Sequence, residues 1–181
     1  MERQEPERIT IQHVLVSFKE TPVQADRTKE EAESLAGTLL EQARGGADFA
    51  TLVREHSDDP VQPDDPEPGV YRLINHGVEG MDFGQMVSLL NEKAAEREQQ
   101  LRKAIEGGEL AVDDAEAQMQ AFVEELRGKA AEAQRELPHP RAAMVPAFGD
   151  VGFALEPGEI GVAGYHDESS PFGWHVIRRI D

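Results

Sequence analysis

Ile9-Thr10-Ile11-Gln12-His13-Val14-Leu15-Val16 is dense in β-branched side chains and holds neither Gly nor Pro, so this stretch is expected to be a strand. Side chains alternate between the two faces of a strand, which puts Ile9, Ile11, His13 and Leu15 together on one of them. A histidine among aliphatic residues reads either as a buried core imidazole or as a functional group. The strand alone leaves both readings open.

Downstream, a polar loop passes Pro22 and Asp26 and reaches Thr28-Lys29-Glu30-Glu31, which has capping-box spacing with Thr28 as N-cap. Ala32, Leu35, Ala36, Leu39, Leu40 and Ala43 then recur at helical spacing as far as Gly45-Gly46. Asp48 caps a shorter helix carrying Phe49, Leu52 and Val53. Residues 57–68 are Asp- and Pro-rich, which is loop chemistry, and 69–73 form a short strand.

Between Met81 and Leu137 the composition turns to Ala, Glu, Gln and Arg. Met86, Leu90, Ala94, Leu101 and Ile105 make one helical stripe; Val112, Ala115, Met119, Phe122, Leu126 and Ala130 make another, with Gly107-Gly108 between them. This predicts two antiparallel helices joined by a tight turn, each hiding its stripe against the other. Gly128 costs the second helix roughly 1 kcal/mol and weakens its expected continuity. Pro138 and Pro140 close the segment. Pro146 opens a short helix through Phe148, Val151 and Phe153; Glu156-Pro157-Gly158-Glu159 is a turn; 160–165 and 172–180 are the last strands. That order implies an α+β fold: an antiparallel four-stranded sheet with packed helices, interrupted by an αα-hairpin. The sheet domain is expected over 1–76 and 141–181, and the inserted hairpin over 77–140.

Acidic residues number 36 against 18 basic ones, a formal net charge of -18. Phosphate backbones and anionic lipid surfaces repel such a chain, which argues against a nucleic-acid or membrane-surface partner. No cysteine is present, which rules out disulfides, zinc–thiolate sites and thiol nucleophiles. Met1-Glu2-Arg3-Gln4-Glu5-Pro6 has no apolar run for a signal-peptide core, and no later segment could span a bilayer. As given, the chain reads as soluble and cytoplasmic, although one stripped of an export signal would read alike. His56, His76, His139 and His166 show no ligand spacing, so no metal is expected. Ser170, His175 and Asp59 are the residue types of a hydrolase triad, but no nucleophile-elbow pattern surrounds the serine.

Four separated segments resemble the parvulin-type peptidyl-prolyl cis/trans isomerases, or rotamases, in family order. They are Gln12-His13-Val14-Leu15-Val16; Gly46-Ala47-Asp48-Phe49 continuing to His56-Ser57-Asp58-Asp59; Met144-Val145-Pro146-Ala147-Phe148 leading to Leu155-Glu156-Pro157-Gly158-Glu159-Ile160; and Phe172-Gly173-Trp174-His175-Val176-Ile177. The likeness covers residues 9–73 and 141–181 and skips the hairpin. It departs at Glu67-Pro68-Gly69-Val70-Tyr71-Arg72-Leu73, where the family usually has a Gly-Gly-Asp-Leu-Gly-like stretch.

The resemblance implies the FKBP-like parvulin sheet and a folding catalyst that needs neither metal nor cofactor. It also assigns parts. Met144 and Phe148, one helical turn apart, would line a proline pocket with Phe172. His13 and His175 would be a buried imidazole pair on neighbouring strands. Asp59 matches the position where relatives carry Asp or Cys near the substrate carbonyl, and Ser170 matches a hydroxyl of the same polar network. Taken without the resemblance, both histidines, Met144 and Phe148 read as core, and Asp59 as a turn former.

Some parvulins require a phosphorylated residue before proline and read it with basic residues after the first strand. Here that loop has only Lys19, Arg27 and Lys29, diluted by Glu20 and Asp26, rather than the close arginines of a bidentate clamp. No phosphate requirement is expected. The hairpin reads as a solvated decoration, as an arm extending contact with unfolded clients, or as a surface for self-association; exposed Phe122, Met119 or Leu101 would favour the arm. Two functions follow: an isomerase acting on proline-containing polypeptides, or a chaperone or adaptor that holds unfolded clients with little turnover.

Overall fold

The computed structural model describes residues 5–62, 64–76 and 80–181. It divides into two compact units, one formed by Met1–Val78 with His139–Asp181 and the other by Glu79–Pro138.

The first unit is built on β1 (Arg8–Val16), which lies in the middle of its sheet between β2 (Val70–Ile74) and β5 (Trp174–Arg179). β4 (Ile160–Ala163) pairs antiparallel with β5, and all three of these ladders are antiparallel. The sheet has a fifth strand that the sequence reading did not contain. His139–Pro140 form β3, parallel to β2 through Leu73 opposite His139 and Ile74 opposite Pro140, so the sheet is mixed. Two residues are too few to carry a period, and a proline without an N–H fits an edge position. These two residues thus pair in the sheet rather than in the insertion where the sequence placed them.

β1 is buried on both faces. On one, Val14 and Val16 meet Val176 and Trp174 under α1 (Lys29–Arg44) and α2 (Phe49–His56), whose Ala32, Ala36, Leu39, Phe49 and Leu52 complete the cluster. On the other, Ile9, Ile11 and Ile177 meet Phe148 and Phe153 of α5 (Pro146–Ala154). The caps are those the sequence spells. Glu31 N–H donates to Thr28 Oγ1 at 3.2 Å while Thr28 N–H donates to Glu31 Oε2 at 2.7 Å, and Thr51 N–H donates to Asp48 Oδ2 at 2.9 Å. α5 begins on Pro146, whose fixed φ suits the first helical position.

β4 and β5 are shorter than the runs 160–165 and 172–180. Between them the chain turns through a bridge pairing His166 with Ser170 and then passes Gly173 at φ +137°. A Cβ on Gly173 would lie 2.2 Å from the Val16 carbonyl oxygen, and one on Gly69, at φ +68°, would lie 2.5 Å from that of His13. Only glycine lets the backbone come this close to β1.

The second unit is a helical hairpin, α3 (Phe83–Glu106) and α4 (Val112–Glu136). Asp82 and Gln85 form a reciprocal capping box, and Phe83 N–H donates to the Pro138 carbonyl at 3.2 Å, closing the hairpin on itself. α4 runs without interruption through Gly128. Leu90 and Leu101 of α3 and Ala115, Leu126 and Ala133 of α4 are buried, whereas Val112, expected in the stripe, is 53% exposed at the first helical position of α4. Leu101 is buried and Phe122 and Met119 are half-buried. Among the described residues no helix is long and apolar enough to cross a membrane.

Replacing Gly173 with alanine is expected to destabilise the protein by at least about 3 kcal/mol, since a strained φ is compounded by a backbone clash. Urea unfolding measures this directly; a midpoint equal to wild type would mean that the Val16–Gly173 approach is not obligatory.

Candidate active site

Strand register brings the polar residues together. Leu15 lies opposite His175 and His13 opposite Ile177 in the β1–β5 ladder, while Ile11 lies opposite Tyr71 in the β1–β2 ladder. Opposed residues share a face of the sheet, so His13 has His175 as a diagonal neighbour on one side and Tyr71 on the other. The His13 and His175 rings stack at 29° with centroids 5.4 Å apart, and their Nδ1 atoms are 3.3 Å apart. Phe148 reaches down from α5 and sets its edge against both imidazoles, at 5.0 and 5.2 Å.

Asp59 comes from the loop after α2, and β1 itself holds that loop. Leu15 N–H donates to Ser57 Oγ at 3.1 Å, Asp58 N–H donates to the Leu15 carbonyl at 2.9 Å, and Ser17 N–H donates to Asp58 Oδ2 at 2.7 Å. These three bonds leave Asp59 over His13, with Oδ2 3.3 Å from His13 Nε2 and accepting from the Tyr71 hydroxyl at 3.1 Å.

Beside this chain lies a cavity of about 270 Å³. Its apolar walls include Met144, Phe148 and Phe172, and His13, Asp59, Tyr71 and His175 also line it. That is slightly below the usual range for sites holding a drug-sized ligand, so it fits a single ring or side chain. A larger groove of about 490 Å³ lies between α3 and α4, but Lys93, Glu96, Arg97 and Glu125 line it as solvated charges, with no convergent buried polar group. Among the described residues, no three His, Asp or Glu side chains converge as metal ligands would.

Two charge states are set here in opposite ways. Burial pushes the Asp59 carboxyl up, but the His13 bond and charge, the Tyr71 hydroxyl and the His175 field outweigh it and hold the group below its ordinary value. Burial, helped by the charge of His13 and opposed by that of Asp59, drives His175 down to about 3. His175 is therefore neutral at ordinary pH while Asp59 is ionised. Burial and the adjacent Asp59 charge hold the Tyr71 hydroxyl well above its ordinary value, so it stays a donor.

Six of the seven residues singled out in the sequence line this one cavity: His13, Asp59, Met144, Phe148, Phe172 and His175. Ser170 does not join them. It is fully buried, and its hydroxyl donates to the Gly173 carbonyl at 2.9 Å, tying the turn into β5 rather than extending the histidine chain. Tyr71 was missed. It falls where the chain departs from the family pattern, and only the strand register that sets it opposite Ile11 brings it to the site.

The family model described as the PPIC-type PPIASE domain matches residues 1–97, more than half of the chain. The matched span contains His13, Asp59 and Tyr71 and stops before α5 and β5. None of the curated proteins matches the chain.

The His175 shift has a thermodynamic sign. From its ordinary 6.5 down to about 3, the unfolded chain takes up a proton there that the folded chain refuses. Stability present above pH 6.5 is lost as the solution is acidified through that window, by up to about 1.4 kcal/mol per pH unit. Asp59, also lowered, adds its own loss below its ordinary 3.8. Urea midpoints between pH 7 and pH 4 should fall with acid and fall less steeply in His175→Phe; equal slopes would show that His175 is not kept neutral by the fold.

Proposed function

The chain belongs to the PPIC-type PPIase family, the parvulin-type rotamases, and is a peptidyl-prolyl cis/trans isomerase acting on proline-containing peptides; on that premise we propose that the Xaa-Pro bond is turned in the cavity beside His13. The barrier to this rotation is about 18–20 kcal/mol, and no bond is made or broken. A planar amide is dipolar, with negative charge on oxygen and double-bond character in C–N. The twisted state loses that resonance and is less in need of water. Met144, Phe148 and Phe172 cradle the proline ring in an apolar surround that favours the twisted state. The ionised Asp59 faces the peptide carbonyl, where its charge disfavours the resonance form that resists rotation. His13 and His175 hold Asp59 and do not attack the peptide. An acceleration of about a hundred-thousand-fold needs only roughly 7 kcal/mol from these effects together. The observation that carries this reading is that apolar walls and a half-buried, ionised carboxylate share one cavity sized for a single ring.

The cations after β1 support a reaction indifferent to phosphate. Arg27 forms an ion pair with Asp58 and donates to the Ser17 carbonyl at 2.9 Å. Lys19 Nζ lies 3.2 Å from Asp26, and Lys29 Nζ sits 4.6 Å above the Tyr165 ring. Each already has a partner, and a bidentate clamp would need two of them free and adjacent.

NMR exchange spectroscopy on unphosphorylated Ala-Xaa-Pro-Phe peptides tests the reading. Wild type should accelerate exchange, and Met144→Ala and Asp59→Ala should each lower the acceleration by at least about tenfold. No acceleration by folded wild type across the panel would sink the catalytic reading and leave a protein that holds clients without turning them over. In a paired measurement, a phosphoserine-proline peptide should turn over no faster than its serine counterpart. Preference for the phosphopeptide would mean that the Arg27 and Lys29 contacts give way to substrate.

A further inference from the structure

We propose that Tyr71 is a positioning residue for the isomerisation, its hydroxyl pinning the Asp59 carboxylate against His13, the imidazole on which His175 stacks. This rests on the cavity being the reaction site. Tyr71 belongs to β2, outside the residues that the family resemblance assigns. Its ring packs edge-on to His13 at 5.1 Å and to Phe148 at 5.8 Å, a wall that phenylalanine would build equally well. The hydroxyl is what differs, and it donates to Asp59.

One carboxylate oxygen takes both contacts: Asp59 Oδ2 meets Tyr71 Oη at 3.1 Å and His13 Nε2 at 3.3 Å. An ionised carboxylate can only accept, so it bonds His13 only through a proton carried on Nε2. The Nδ1 atoms of His13 and His175 face each other across 3.3 Å, so the two rings share a proton between them. Among the described residues, His13 Nε2 and His175 Nε2 are both buried without a hydrogen bond of ordinary geometry, so the 3.3 Å approach of Asp59 is the polar contact on that side of His13. Where Asp59 is held thus sets the charge that His13, and through it His175, faces. The loop fixes its backbone through Ser57 and Asp58, and Tyr71 fixes its carboxylate. Without the hydroxyl, the contact with His13 is the remaining hold on Oδ2 among the described residues.

The groups facing Asp59 are His13 from β1, Tyr71 from β2 and His175 from β5. His139 of β3 lies beside the Tyr71 ring at 5.0 Å, and the Arg27–Asp58 pair is next along the chain. Tyr71→Phe removes one donor and leaves these charges in place. The Asp59 carboxyl should therefore titrate at higher pH in the variant, read from its side-chain carbon resonance. The acid limb of kcat/KM should move the same way. kcat should fall about tenfold while KM stays within about twofold, because positioning is lost and the apolar wall is kept.

In an Asp59→Asn background, adding Tyr71→Phe should cost less than about twofold, since both changes act through one side chain. An unmoved Asp59 titration with unchanged kcat would make the hydroxyl a bystander, and a full multiplicative loss in the double variant would place its action elsewhere. The titration needs no turnover. If wild type fails to isomerise any peptide, a shift of Asp59 in Tyr71→Phe still upholds the pinning, and an unmoved resonance still overturns it.

Discussion

The register between β1 and β5 is the constraint on which both the core and the site depend. A slip of one residue would turn every side chain of β5 to the other face. Val176 would leave the cluster under α1 and α2, and His175 would leave its place diagonal to His13. The register is pinned at both ends. At one, Gly173 lies against the Val16 carbonyl, closer than any other residue could come. At the other, Ile180 N–H donates to the Thr10 carbonyl at 2.8 Å and Thr10 N–H donates to Asp181 Oδ1 at 2.6 Å. Folding and site assembly are one event here, because the same ladder performs both.

β1 also positions the third polar component. Its backbone pairs with β2 and β5 along most of its length, and near its end Leu15 and Ser17 bond to the loop of Ser57 and Asp58. Asp59 thereby reaches His13 from a different part of the chain with little freedom left. Burying two imidazoles and half-burying a carboxylate is unfavourable unless each is neutralised or partnered. Both remedies are used, since His175 stays uncharged while Asp59 keeps its charge by gathering donors. Environments that push neighbouring groups in a fixed direction hold one protonation pattern over a broad pH range.

Much of this was legible in the sequence where the signal is local. The capping box at Thr28 and Glu31, the alternation along 9–16 and the paired stripes of the hairpin each follow from a short period or a fixed offset, and each produced the expected element. The proline-pocket and imidazole residues were legible through family resemblance rather than pattern, since a Met and a Phe one turn apart look like any core. What was not legible depends on contacts across the fold. Ser170 has the right chemistry, but its hydroxyl direction is set by the turn at Gly173. Tyr71 acquires significance only when register sets it beside His13. His139 and Pro140 form too short a strand to leave a period, and Val112 fits its stripe yet sits at a helix end where little covers it.

Position 59 carries a carboxylate, and the chain has no thiol anywhere. Reagents that oxidise or cap cysteine therefore have nothing to react with, and the polar chain has no redox state. The sulfur in the cavity wall is the thioether of Met144, which is only half-buried. Oxidation there would place a polar, chiral sulfoxide where the wall is apolar, a lesion that a methionine sulfoxide reductase could reverse. The oxidative sensitivity of this site thus resides in its packing surface rather than in its acid–base groups.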